Sequence, residues 1–99
     1  MKYSLILRDK AVEEIKEAYK WYDEQLNGLG DRFLNSIKKN TDLILNNPII
    51  FKTTYKSFKE VFIKEFPFVI VYYIDKINLN IVIISVFHCS RNPKKKYKK

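Results

Sequence analysis

The sequence predicts an α+β fold, a helical hairpin packed on one face of a single antiparallel β-sheet that begins with an N-terminal strand. Three observations carry this reading. Apolar residues recur at helical spacing from Ala11 to Leu45; the pattern turns extended, β-branched and aromatic after Pro48; and the only two glycines, Gly28 and Gly30, fall between the two helical stretches.

Tyr3 to Leu7 is short, apolar and flanked by charge, and reads as the first strand. Asp9 is placed as the N-cap of a first helix, with Glu13 and Glu14 near the positive end of its dipole. Ala11, Ile15, Ala18, Tyr22 and Leu29 form the buried stripe, widened by Val12, Tyr19 and Leu26. The helix should stop at Asn27-Gly28. A second is expected from about Gly30-Asp31 to Asn46-Asn47, burying Phe33, Leu34, Ile37, Thr41, Ile44 and Leu45. So short a connector makes the pair an antiparallel hairpin. Strands follow at Lys59 to Phe66, Phe68 to Asp75 and Leu79 to Phe87, with Ile49 to Tyr55 as an extra edge strand and Asp75-Lys76-Ile77-Asn78 as a hairpin turn. The order is β-α-α-β-β-β.

Ninety-nine residues suffice for one helical layer on one sheet, so residues 1–93 are read as one domain and 94–99 as a basic tail. The single cysteine, Cys89, allows no internal disulfide. No apolar run reaches the roughly 20 residues of a membrane span, and the N-terminus lacks the pattern of a signal peptide. A cytoplasmic protein without membrane contact is the expectation.

Charge divides the chain. Residues 1–48 carry eight Lys/Arg and eight Asp/Glu. Residues 49–99 carry eleven against Glu60, Glu65 and Asp75, so the whole net charge of +8 lies in the second half. From His88 onward no acidic residue occurs, while Arg91, Lys94, Lys95, Lys96, Lys98 and Lys99 do. A strand thus delivers a histidine, an arginine and a run of lysines to one end of the fold, which suits a polyanion or an acidic partner. Phe68 to Ile74 and Ile81 to Ile84 are apolar on both alternating faces. A helical hairpin covers only one. The other face calls for a homodimer, the chain's own termini, a separate protein, or shielding by its own aromatic side chains.

Several chemistries fail on inventory. Adjacent His88 and Cys89 cannot build a structural zinc site alone, and neighbours on an extended chain point apart, which denies Cys89 a base. The two glycines link helices and form no phosphate loop. The carboxylates of the first helix read as solvent-facing, with Glu13 and Glu17 beside Lys16 and Lys20 as ordinary surface pairs. No metal or cofactor is called for.

Four segments, Leu29-Gly30-Asp31-Arg32-Phe33, Asn47-Pro48, Phe66-Pro67-Phe68-Val69-Ile70-Val71-Tyr72 and Val86-Phe87-His88-Cys89-Ser90-Arg91-Asn92-Pro93, together resemble the RelE/ParE toxins of type II toxin–antitoxin systems. The resemblance spans nearly the whole chain. It implies a small toxin held inactive in a hetero-oligomer with a cognate acidic antitoxin, which would cover apolar surface and answer the positive charge.

The family holds two mechanisms. The RelE-like branch cleaves mRNA on the ribosome without a metal, and here the resemblance implies His88, Arg91 and Tyr97 as catalytic candidates, with Lys59 and Lys64 for charge. That branch also places an arginine in the strand matching Phe68 to Tyr73, where this chain has only apolar residues and tyrosines. The ParE-like branch poisons DNA gyrase by binding and needs no catalytic group. The long helices, the Phe66-Pro67-Phe68 turn and Arg91-Asn92-Pro93 look more like this branch, with Lys59 standing where an arginine is common. Lys59, Lys64, Arg91, Lys94, Lys95 and Lys96 are then the expected target-binding residues. A third reading is a non-toxic nucleic-acid-binding or degenerate toxin module, with Phe51, Tyr55, Phe58 and Phe62 interleaved with lysines as a stacking surface.

Overall fold

The computed structural model describes residues 2–49, 51 and 53–90, apart from the side chains of Thr54 and Tyr55. The elements are β1 (Ser4–Leu7), α1 (Asp9–Gln25), α2 (Leu29–Asn46), β2 (Thr53–Tyr55), β3 (Phe58–Phe62), β4 (Phe68–Asp75) and β5 (Asn80–His88). They form one five-stranded sheet in the order β1-β5-β4-β3-β2. The α+β class and the helical hairpin match the sequence reading.

One feature of the sheet differs from that reading. β2 to β5 are antiparallel to their neighbours, but β1 pairs parallel to β5, with Leu5 opposite Ile81 and Leu7 opposite Ile83. The direction of α1 explains it. Arg8 N–H meets the Ile83 carbonyl, Glu14 reaches Ser85 and Val86, and Tyr22 packs on Phe68, which lies opposite His88. α1 therefore advances along β5 and does not turn back on β1. The reversals occur between the helices and at three hairpins, and their even number returns β5 in the direction of β1.

The hairpin between the helices is closed by its own residues. Asp23 on α1 accepts the backbone N–H groups of Gly28 (3.0 Å) and Gly30 (3.2 Å), satisfying donors at the start of α2. Gly28 has φ 94°, the left-handed region where a side chain is strained. Gly30 is needed for space, because a Cβ there would sit 2.8 Å from the Tyr19 ring and carbonyl oxygen. Asp9 is the first helical residue and not the cap, which is Arg8 and makes no side-chain cap bond.

The face that α1 and α2 share with the sheet buries Ala11, Ala18, Phe33, Ile37 and Ile44 against Phe68, Ile70, Tyr72, Ile81, Ile83 and Val86. Tyr22, Phe33, Phe66 and Phe68 meet there with ring centroids 4.9 to 6.3 Å apart, mostly edge-on, the arrangement ring quadrupoles favour. Two residues expected in this core lie outside it: Leu34 and Leu26 are exposed.

The opposite face is closed as well. Phe58, Val69, Val71, Val82, Ile84 and Phe87 form a second buried cluster, with Tyr73 packed on it. Val71 and Ile84 have no exposed surface, although no second chain is present. Arg8 adds a 3.0 Å bond from its guanidinium to the Tyr73 hydroxyl. The apolar residues of this second face are thus buried within the single chain.

The segment after α2 is fastened by two side chains from the sheet. The Tyr72 hydroxyl donates to the Pro48 carbonyl (2.7 Å), and Lys59 Nζ donates to the Phe51 carbonyl (2.8 Å) and to Thr53 Oγ1 (3.1 Å). At the other end of β4, Asp75 accepts the N–H groups of Ile77 and Asn78 and the Asn78 amide, closing the predicted turn. Those bonds hold the Asp75 carboxyl below its ordinary range, the Asn78 side chain first among them.

Two measurements check this packing. Gly30→Ala should destabilise the fold by about 1–3 kcal/mol in urea unfolding, since Tyr19 or α2 must shift. Burial pushes the Tyr72 phenol up from 10.0 to about 12. An unfolded chain ionises near 10, so the Tyr72 contribution is complete below that pH and is lost as pH rises to about 12. Denaturant midpoints should fall across that window, less steeply in Tyr72→Phe.

Candidate functional site

The end of the molecule that carries His88 is shaped by an irregularity in β5. Tyr72 pairs with Ile83 and Val71 with Ser85, so Ile84 is an extra residue and the register shifts. As a result Ile83 and Val86, three apart, both belong to the core under the helices. A regular strand would put them on opposite faces. The same shift turns His88 to the helix side, beside Phe68.

α1 supplies the groups that accommodate this bulge. Glu14 Oε1 accepts the Ser85 hydroxyl (2.8 Å) and the Val86 N–H (3.0 Å). Glu14 is therefore turned inward, against the expectation that every carboxylate of this helix faces solvent. Glu13 does face solvent, with Lys16 at 3.9 Å.

His88 closes the end of the strand. Its Nδ1 accepts the Ser90 N–H at 3.1 Å and lies 2.6 Å from Ser90 Oγ. Because Nδ1 accepts a backbone donor, the ring carries its proton on Nε2. The ring also stands edge-on to Phe68, centroids 5.0 Å apart. A cavity of about 420 Å³ opens here between α1 and the strand ends, lined by Glu17, Trp21, Tyr22, Phe68, His88 and Ser90.

Of the other predicted site residues, the described ones, Lys59 and Lys64, do not line this cavity. Lys59 is level with Tyr72 and lies two strands away from β5, so it is about four residues, or roughly 13 Å, along the sheet from the Phe68–His88 row. Its amino group holds the 51–53 segment, as described above. Lys64 is exposed in the β3–β4 connection and borders a second cavity of about 350 Å³ with Lys39, Leu43, Phe62 and Glu65. Leu43 and Phe62 are both exposed there. Arg91, Lys94, Lys95, Lys96 and Tyr97 lie outside the described residues. Among the described residues no group of three or more His, Cys, Asp or Glu is placed to hold a metal ion. No helix among them is long and apolar enough to cross a membrane.

Sequence reasoning passed over Glu14, Glu17 and Trp21. Trp21 had a signal, being the only tryptophan and standing on the polar side of α1 between Glu17 and Glu24. Glu14 had none, since its role depends on a bulge in a strand 71 residues away. Glu14→Ala should lower stability by about 1–3 kcal/mol, because Ser85 and Val86 lose their acceptor. Glu14→Gln, which keeps an acceptor oxygen, should lose clearly less in the same denaturant titration.

Comparison with known proteins agrees with this architecture. The family described as "ParE toxin of type II toxin-antitoxin system, parDE" matches residues 5–93. No curated protein sequence matches the chain. In fold it is similar to a chain of the intact E. coli RelBE toxin–antitoxin complex, with a TM-score of 0.70 at 20% identity over 90% of this chain and 99% of that one. The isolated E. coli RelE toxin gives 0.68 at 19% identity, covering 94% and 90%. A chain of the chromosomal ParDE system of P. aeruginosa gives 0.66 at 13% identity, covering 88% and 96%. With a family match running from β1 past the end of β5, this chain belongs to the ParE toxins of type II toxin–antitoxin systems, within the RelE/ParE superfamily.

Proposed function

We propose that the protein inhibits DNA gyrase by binding it and is neutralised by a cognate antitoxin. The observation that carries this reading is the closed, apolar character of β4. Val69 and Val71 are buried on one face and Ile70 and Tyr72 on the other, so the strand that resemblance to the nuclease branch would furnish with an arginine offers no cation. His88 also has its Nδ1 committed to Ser90, and Lys59 stands apart from it along the sheet. A metal-free nuclease needs a proton acceptor, an acid and cations around one phosphate, and the described residues do not assemble them.

Binding asks less of the geometry. Lys64 is exposed, Lys59 keeps one of its three N–H donors beyond those given to Phe51 and Thr53, and Arg91 with Lys94, Lys95 and Lys96 supplies the remaining charge in sequence. The groove where exposed Leu43 and Phe62 lie between Lys39 and Lys64 suits an acidic amphipathic segment such as an antitoxin would present.

Expression of the chain alone, followed by assay of plasmid topology and message integrity in the same cells, tests the proposal. Gyrase poisoning gives cleaved or relaxed plasmid with intact messages. Cleaved messages with normal supercoiling would replace it with ribosome-dependent mRNA cleavage.

A further inference from the structure

The cavity between α1 and the end of β5 is not used by the reading above, and its chemistry is specific. Three groups define it. Trp21 is 57% exposed, meeting the Tyr22 ring only edge-on at 5.2 Å, so its indole is available for stacking. Glu17 is exposed and has no ion pair or hydrogen bond among the described residues. His88, with Nδ1 occupied, presents Nε2–H as a donor. Among the described residues no lysine or arginine lines the cavity.

We infer that this cavity binds a guanine base, from an unpaired stretch of nucleic acid or a free nucleotide. A purine stacks on the Trp21 indole, as bases do on aromatic platforms. The guanine Watson–Crick edge carries two adjacent donors, N1–H and the N2 amino group, which a single carboxylate accepts side by side. Its O6 and N7 are acceptors for the His88 Nε2–H. Adenine and cytosine offer Glu17 an acceptor ring nitrogen beside one amino group, and uracil offers a lone N–H between two carbonyls. Those bases leave the carboxylate facing a lone pair. An arginine side chain would suit Trp21 and Glu17 but not the histidine donor. Glu14, already bonded to Ser85 and Val86, and Glu17 keep phosphate off the cavity walls, so the base enters and its phosphate stays outside, attracted by a chain of net charge +8.

The inference is independent of the gyrase reading, and its test separates the two. Trp21 is the only tryptophan, so its fluorescence reports on this cavity directly. The purified protein is titrated with GMP, AMP, CMP and UMP, and then with short single-stranded oligonucleotides of each base. GMP should quench saturably and bind about tenfold more tightly than AMP, the discrimination one bidentate base contact supplies. Glu17→Gln should remove that preference while leaving the thermal midpoint in place, because Glu17 has no structural bond to lose among the described residues. Tighter binding of a G-containing oligonucleotide than of GMP would identify nucleic acid as the source, and equal binding the free nucleotide. Equal quenching by all four nucleotides, absence of saturation, or preferential quenching by an arginine amide would overturn the proposal, the last in favour of a seat for a basic side chain. Plasmid topology in cells bears on none of these outcomes.

Discussion

The contact between Glu14 and the bulge of β5 is the joint on which the functional end of this molecule depends. A bulge releases backbone and side-chain groups from the ladder, and buried groups left without partners are costly. Glu14, carried inward by α1, accepts both Ser85 Oγ and Val86 N–H. The bulge in turn sets the parity of everything after it. Val86 enters the core, Phe87 joins the second cluster, and His88 faces α1 and the cavity. One carboxylate on the first helix thereby braces the bulge that sets the face on which the chain presents its last described residues.

The two-faced burial of β4 and β5 has a consequence for partners. Apolar strands of this kind ordinarily indicate an interface, yet both faces are filled within the chain. Exposed apolar residues include Phe62 and Leu43 beside Lys39 and Lys64, Trp21 on α1, Leu26 just past it, Ile49, and Ile77 in the Asp75–Asn78 turn. Of these, the patch of Phe62 and Leu43 is bordered by Lys39 and Lys64. It pairs apolar anchors with nearby charge, the composition of an interface whose affinity depends on salt.

The cations also separate by role. Lys59, numbered among the expected target contacts, spends two donors on the segment that leads into β2, where Tyr72 fastens Pro48. Arg8 bonds the Tyr73 hydroxyl, and Arg32 pairs with Glu65 at 3.5 Å. Lys64 has no such bond among the described residues. The net charge of +8 does not say which cations are free; position in the fold decides which remain available.

Much of the fold was legible in the residues. The spacing of Ala11, Ile15, Ala18 and Tyr22, the break at Gly28, the extended runs after Pro48 and the Asp75–Asn78 turn follow from local preferences that act within a few residues. Both helices, β4 and β5 formed near their expected bounds, whereas β2 is confined to Thr53–Tyr55 and β3 ends at Phe62, short of the expected Ile49 start and Phe66 end. The candidate site was legible only in part: His88 was found, whereas Glu14, Glu17 and Trp21 were not. The parallel pairing of β1 and the closure of the second face were likewise settled elsewhere. Sequence alone determined which stretches are helix and strand, because periodicity and turn chemistry are local. Tertiary structure decided the direction of β1, the side on which His88 emerges and the freedom of Lys59, because each depends on hydrogen bonds between groups far apart in the chain.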